Sequence, residues 1–156
     1  MIKLYSGSII FRDLSLEVEP WMTSQEFRNR FPADRIVREN ALGNGYLWLD
    51  VRERLYEGEE CIPISFCFNA DGELEYVDQF PQHAGTPPED WEDRKSWSAE
   101  EQKKDLKACS AWLLIHCGIT QSAKFLWGNI GTFTEPKSGV CGINLHYRRQ
   151  GKSRRR

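Results

Sequence analysis

Ile62-Pro-Ile-Ser-Phe-Cys-Phe68, Asn69-Ala-Asp-Gly72 and Glu73-Leu-Glu-Tyr-Val77 together decide the fold class. Ile62, Ile64, Phe66 and Phe68 alternate with Pro63, Ser65 and Cys67. A period of two sends one set into a core and the other to the opposite face of a sheet. Pro63 stands near the start, where a strand tolerates the missing N–H. Asn69-Ala-Asp-Gly72 is a turn in which Gly72 can take the left-handed position. Residues 73–77 then return antiparallel.

Reading outward, residues 46–51 are aromatic and aliphatic and read as the preceding strand. At the start, Ile2, Leu4 and Ile9 to Phe11 precede the turn-like Arg12-Asp13, after which Leu14, Leu16 and Val18 alternate with polar residues. That is a hairpin ending at Pro20. Thr23-Ser-Gln-Glu26 is a capping box that starts a short helix, with Met22 and Phe27 placed for a hydrophobic staple. Pro32 stops it. Ser98-Ala-Glu-Glu101 is a second box and opens the main helix. Its stripe is Leu106, Cys109, Leu113 and His116, and its second half reads as buried. Gly118 ends it. Residues 123–134 read as one strand with bulges at Gly128 and Gly131. In residues 140–147, Cys141, Ile143, Leu145 and Tyr147 face the core, opposite Asn144 and His146. The order ββ-α-βββ-α-ββ predicts an α+β, two-layer domain over residues 1–147, with one curved antiparallel sheet packed on the long helix.

The chain has 156 residues and 18.2 kDa, enough for one domain. Six Trp and a 40% apolar fraction exclude a disordered chain. No run reaches the roughly 20 apolar residues of a membrane helix. The opening Met1-Ile-Lys-Leu-Tyr-Ser-Gly7 has no export pattern, and five cysteines, an odd number without a C-x-x-C, fit free thiols in a reducing cytoplasm. The net charge of −2 conceals an asymmetry. Residues 148–156 carry six basic residues and no acid, and read as a disordered basic tail; the body holds 15 basic and 23 acidic residues. Such a body repels nucleic acid and attracts basic proteins. A nucleic-acid contact is left open only for the tail.

Catalytic signatures are sparse. There is no G-x-S-x-G, phosphate-binding Gly loop or H-E-x-x-H. His116 and Cys117 are adjacent and diverge on a helix, so neither a metal nor another cofactor is implied. Glu73 and Glu75, about 7 Å apart along a strand, are expected to face water. His83 lies in the irregular 79–97 loop, where it could be exposed; with a carboxylate it would make a small hydrolase, the alternative function. The more informative feature is the same loop's run Pro88-Glu-Asp-Trp-Glu-Asp-Arg-Lys-Ser-Trp97. Glu89, Asp90, Trp91, Glu92, Asp93 and Trp97, with Glu100 and Glu101, are the candidate partner-binding residues. Trp supplies anchor area, and carboxylates steer and pair a basic partner. The plainer account is that both Trp cover the core edge while the acids are solvated.

The segment Phe68-Asn-Ala-Asp-Gly-Glu-Leu74 joining two strands, the acidic Trp-bearing stretch before a helix, and Trp127-Gly128 entering a last hairpin resemble the layout of small bacterial immunity proteins. Those proteins neutralise polymorphic or contact-delivered toxins. The resemblance implies a cytoplasmic, non-enzymatic binding protein that occludes a basic toxin domain. It carries over no functional residue. A domain without any such site is the remaining alternative.

Overall fold

The computed structural model describes residues 1–87, 90 and 98–149. Two antiparallel sheets and two helices form among them. β1 (Ile2–Lys3), β2 (Ser8–Phe11) and β3 (Leu16–Val18) make a small sheet, followed by α1 (Ser24–Arg30). Next come β4 (Ile36–Ala41), β5 (Leu47–Glu53), β6 (Ile62–Phe68) and β7 (Leu74–Gln79). α2 (Ala99–Cys117), β8 (Ser122–Phe125), β9 (Gly128–Thr134) and β10 (Cys141–Tyr147) complete the chain. The large sheet has the order β4-β5-β6-β7-β10-β9-β8, so β10 is inserted beside β7. This is an α+β fold built on a large antiparallel sheet and a long helix. It differs from the sequence reading in three places. The first hairpin forms its own sheet, β4 is an added edge strand, and residues 122–134 are a tight hairpin turning at Leu126-Trp127.

Cross-strand pairs place side chains on common faces. Phe66 opposes Val77 and Leu49, and Leu145 opposes Val77, so one face of the large sheet is mainly apolar; Gln79, paired with Ile64 and Ile143, interrupts it, fully buried and with Nε2 and Oε1 meeting no hydrogen-bond partner among the described residues. The small sheet, α1 and α2 share a single core with it. Phe27 of α1 stacks on Phe31 at 4.8 Å and meets Phe66 at 4.7 Å, while Phe11 meets Phe31 edge-on at 5.6 Å. Such pairs add about 0.5–1.5 kcal/mol each beyond area burial. The capping box holds α1 in place: the Glu26 amide donates to Thr23 Oγ1 at 3.2 Å, and the Thr23 amide donates to Glu26 Oε2 at 2.8 Å.

Two buried aromatics tie the sheets together. Trp127 Nε1 donates to the Leu4 carbonyl at 2.7 Å, and the Tyr147 hydroxyl donates to the Gly7 carbonyl at 2.9 Å. Gly7 sits at φ +77° under the Trp127 ring, where a Cβ would lie 2.5 Å from Trp127 Cδ2. Glycine alone meets both demands.

α2 is capped by Ser98, whose Oγ accepts from the Glu101 amide at 3.1 Å, and ends at Gly118 with φ +67°. Cys109, Trp112 and Leu113 are buried, but Leu114 and Ile115 are exposed, so only one side of its second half enters the core. At the far end of the helix, His116 Nε2 lies 2.6 Å from Glu59 Oε1, and its ring stacks on Tyr56 at 4.0 Å. Arg148 and Arg149, read as the start of the tail, are hydrogen-bonded to the body. The Arg148 amide donates to Trp127 O at 2.7 Å, and the Arg149 guanidinium reaches Glu75 Oε2 at 3.2 Å. Among the described residues no helix is long and apolar enough to cross a membrane.

Candidate functional site

The second face of the large sheet carries a different chemistry. Register places Arg38 opposite Asp50, Asp50 opposite Ser65, Ser65 opposite Asp78 and Asp78 opposite Asn144. These residues form one row across five neighbouring strands. The adjacent row runs Asn40, Trp48, Cys67, Tyr76, His146 and Asn129. Tyr76 and His146 stack at 4.5 Å. The helices and the small sheet lie on the opposite, apolar face. Among the described residues no helix or second sheet lies over these rows.

The sheet curves into a cleft of about 700 Å³ here. Asp50, Ser65 and Asp78 line it together with Trp48, Phe80 and Phe133, and its rim includes Arg38, Glu39, Glu135 and Ser138. One wall is the loop between β9 and β10, closed by the Ser138 amide donating to Glu135 Oε2 at 2.6 Å. The opposite wall is the β4 edge. The segment after β7 is held from β5: the Arg52 guanidinium donates to the Thr86 and His83 carbonyls.

The carboxylates are not equivalent. Asp50 is buried, and its Oδ2 lies 2.5 Å from a guanidinium nitrogen of Arg38. Asp78 Oδ1 accepts from Asn144 Nδ2 at 2.5 Å, a neutral partner. Burial pushes the Asp78 carboxyl up to about 6; the Asn144 bond opposes this, and the nearby Asp50 charge adds to it. Ser65, only 5% exposed, stands between them, and its hydroxyl meets no hydrogen-bond partner among the described residues. Within the aromatic row, burial raises the Cys67 thiol to about 12, which makes it inert as a nucleophile.

One bulge changes the expectation for Glu75. The register moves from Cys67 opposite Tyr76 to Phe68 opposite Leu74, so Glu75 is the extra residue. It turns away from solvent to 5% exposure and meets Arg149, instead of facing water beside Glu73. Burial would raise its carboxyl, but bonds from Asn69, Tyr76 and Arg149 outweigh this and hold it below the usual range.

Of the partner-binding residues singled out by sequence, the three that are described do not line this cleft. Asp90, Glu100 and Glu101 are not among its lining residues, and Glu100, which is exposed, pairs only loosely with Lys104 at 3.8 Å. Glu89, Trp91, Glu92, Asp93 and Trp97 lie outside the described residues. His83 is buried, 4% exposed, and not available at the surface of its loop. No group of three His, Cys, Asp or Glu side chains converges among the described residues. The sequence reading does not single out Asp50, Ser65 or Asp78. Strand alternation already puts Ser65 opposite the apolar set, but only the pairing of β7 with β10 brings Asn144 to Asp78. No family model, no curated protein and no solved structure matches the chain.

Proposed function

We propose that this chain is a protein-binding module whose polar sheet face receives a basic partner. The observation that carries the reading is the acid-lined cleft on a face that no described helix or second sheet covers. Asp50, Ser65 and Cys67 are buried on this face, so the surface it offers is the cleft and its rim together with the partly exposed Trp48, Tyr76 and His146. Trp48, Tyr76 and His146 supply rigid area, and Asp50, Asp78 and the acidic body supply complementary charge. The resemblance to small bacterial immunity proteins names the partner class: a toxin domain, blocked by occlusion in the cytoplasm.

The test is capture by the full chain from its native cell, followed by identification and purification of the captured polypeptide. Calorimetry on the pure pair should give a Kd that weakens as salt rises, with crosslinks on β5, β7 and β10. Crosslinks confined to α2, or a salt-independent Kd, overturn the proposal. A hydrolase is the second reading, favoured by one observation: an acid raised to about 6 in a cleft that also holds the ion-paired Asp50. Turnover of ester or glycoside substrates that Asp78→Asn abolishes would establish it instead.

A further inference from the structure

The polar face contains a more specific feature than general acidity. Asp50 is already neutralised by Arg38 at 2.5 Å. Asp78, one strand beyond Ser65, meets no cation among the described residues; its bonded neighbour is the Asn144 amide. Ser65, more than nine-tenths buried, lines the same cleft with a hydroxyl that no described residue engages. Above these two acceptors the cleft is walled by the flat rings of Trp48, Phe80 and Phe133, and Phe80 and Phe133 meet edge-on at 6.2 Å. An unmatched carboxylate, an unused hydroxyl and aromatic walls are what a planar, multi-donor cation requires.

We infer that this cleft seats one arginine side chain of the partner, with the guanidinium hydrogen-bonded to Asp78 and Ser65 and its plane against the aromatic walls. The inference rests on the protein-binding reading and specifies its anchor. Arginine is favoured over lysine because its fork can engage both acceptors at once while stacking. Occupation would be coupled to proton release. The charged groups facing Asp78 are Asp50 from β5 with its Arg38 partner from β4; Glu39 and Glu135 stand on the rim, and His146 and Tyr76 lie in the next row. Among the acids of the cleft floor, Asp78 lacks a settled cation and carries a carboxyl raised to about 6, so binding weakens as pH falls through that value.

The probe is N-acetyl-arginine amide, compared with its lysine and citrulline counterparts, followed by NMR on the full chain. One charge-assisted bond with stacking predicts a Kd on the order of 1 mM. Saturable shifts should appear at Ser65, Asp78, Phe80 and Phe133, and the Asp78 titration should move to lower pH with arginine bound. Lysine should bind at least about threefold more weakly, and citrulline should not bind. Asp78→Asn keeps the shape and the Asn144 bond, and should weaken arginine binding by at least tenfold with the fold intact. Equal binding of all three probes, or of the variant, overturns the inference. A seat filled from within by Arg94 or Lys95 also overturns it. In that case the wild type shows no response while a chain lacking both residues binds the probe. The two readings fail separately. If the purified partner still binds Asp78→Asn fully but loses affinity for Trp48→Ala, the binding module stands and the arginine seat falls. If the probe binds as described but no basic partner uses this face, the module reading falls.

Discussion

Replacing Asp78 with asparagine should stabilise the protein at neutral pH and leave it unchanged in acid. Burial holds the Asp78 carboxyl at about 6, against 3.8 for an ordinary aspartate. Between these values the folded state binds more protons than the unfolded state, so stability falls as pH rises. The loss is complete above the folded value and absent below the unfolded one. At 1.36 kcal/mol per pH unit the gap amounts to about 3 kcal/mol. Asp78 keeps part of its surface in the open cleft, so that figure is a ceiling and about 2 kcal/mol is expected. An asparagine in its place would retain the bond from Asn144, through its own Oδ1, and present an amide to Ser65. It would carry no charge to desolvate. Urea denaturation of both proteins at pH 4, 6 and 8 isolates the effect, because titrating groups that do not interact with Asp78 cancel in the difference. The variant should gain little at pH 4 and about 2 kcal/mol at pH 8, a midpoint shift of about 1 M urea. A variant that is less stable at pH 8, or a difference flat from pH 4 to 8, refutes the argument: the carboxylate would then be comfortably placed and the cleft would hold no uncompensated charge.

Gly7→Ala should cost about 2–4 kcal/mol, because Ala must take φ +77° and push its methyl into the Trp127 ring; a change below about 0.5 kcal/mol in denaturant unfolding would contradict the packing described. Tyr147→Phe removes the buried hydroxyl bond to the Gly7 carbonyl and should lower stability by about 1–2 kcal/mol in the same assay, uniformly from pH 5 to 8. Thr23→Ala dismantles the capping box and should cost about 1 kcal/mol, with faster amide exchange at the start of α1 and no change in α2. Exchange that rises equally in both helices would show that the cap acts on the whole fold instead.

The hairpin of β6 and β7, both helix starts and the inward set of β10 were legible because each is a local pattern. Alternation, a turn with Gly72 at φ +81°, or an acid three residues after a cap fixes them without reference to distant chain. β4 was not legible. Residues 37–41 are all exposed, and an edge strand with one half-buried residue, Ile36, has no apolar rhythm to read. The β8–β9 turn reads as continuous strand because Leu126 is apolar, although it is among the most exposed side chains described. Its position follows from the burial of Trp127 beside it, a tertiary demand. The site was hidden for a related reason. Asp50, Ser65 and Asp78 are unremarkable in their own strands, and the row exists only after β5, β6 and β7 are set in register and β10 is inserted next to them. The acidic run at 89–101 stands out because its charges are adjacent in sequence, whereas Asp50 and Asp78 on the cleft floor come from strands and lie 28 residues apart.

The cleft also separates what the fold needs from what it tolerates. A sheet face that had only to meet water would be satisfied by small polar residues and pairs of opposite charge across neighbouring strands. The Arg38–Asp50 pair follows that rule, and Glu75 is matched by Arg149 from the segment after β10. Among the described residues Asp78 and Ser65 do not: one keeps a charge without a cation, the other a hydroxyl without a partner, and neither contributes to the apolar core on the opposite face. Local departures from an otherwise consistent sequence are expected where function opposes stability. A partner that brings a cation to Asp78 restores the missing interaction, so the free energy withheld in folding becomes available in binding. The stability gained by Asp78→Asn and the affinity lost by the same substitution are therefore two measurements of one charge, and they should rise together as the pH is taken from 5 to 8.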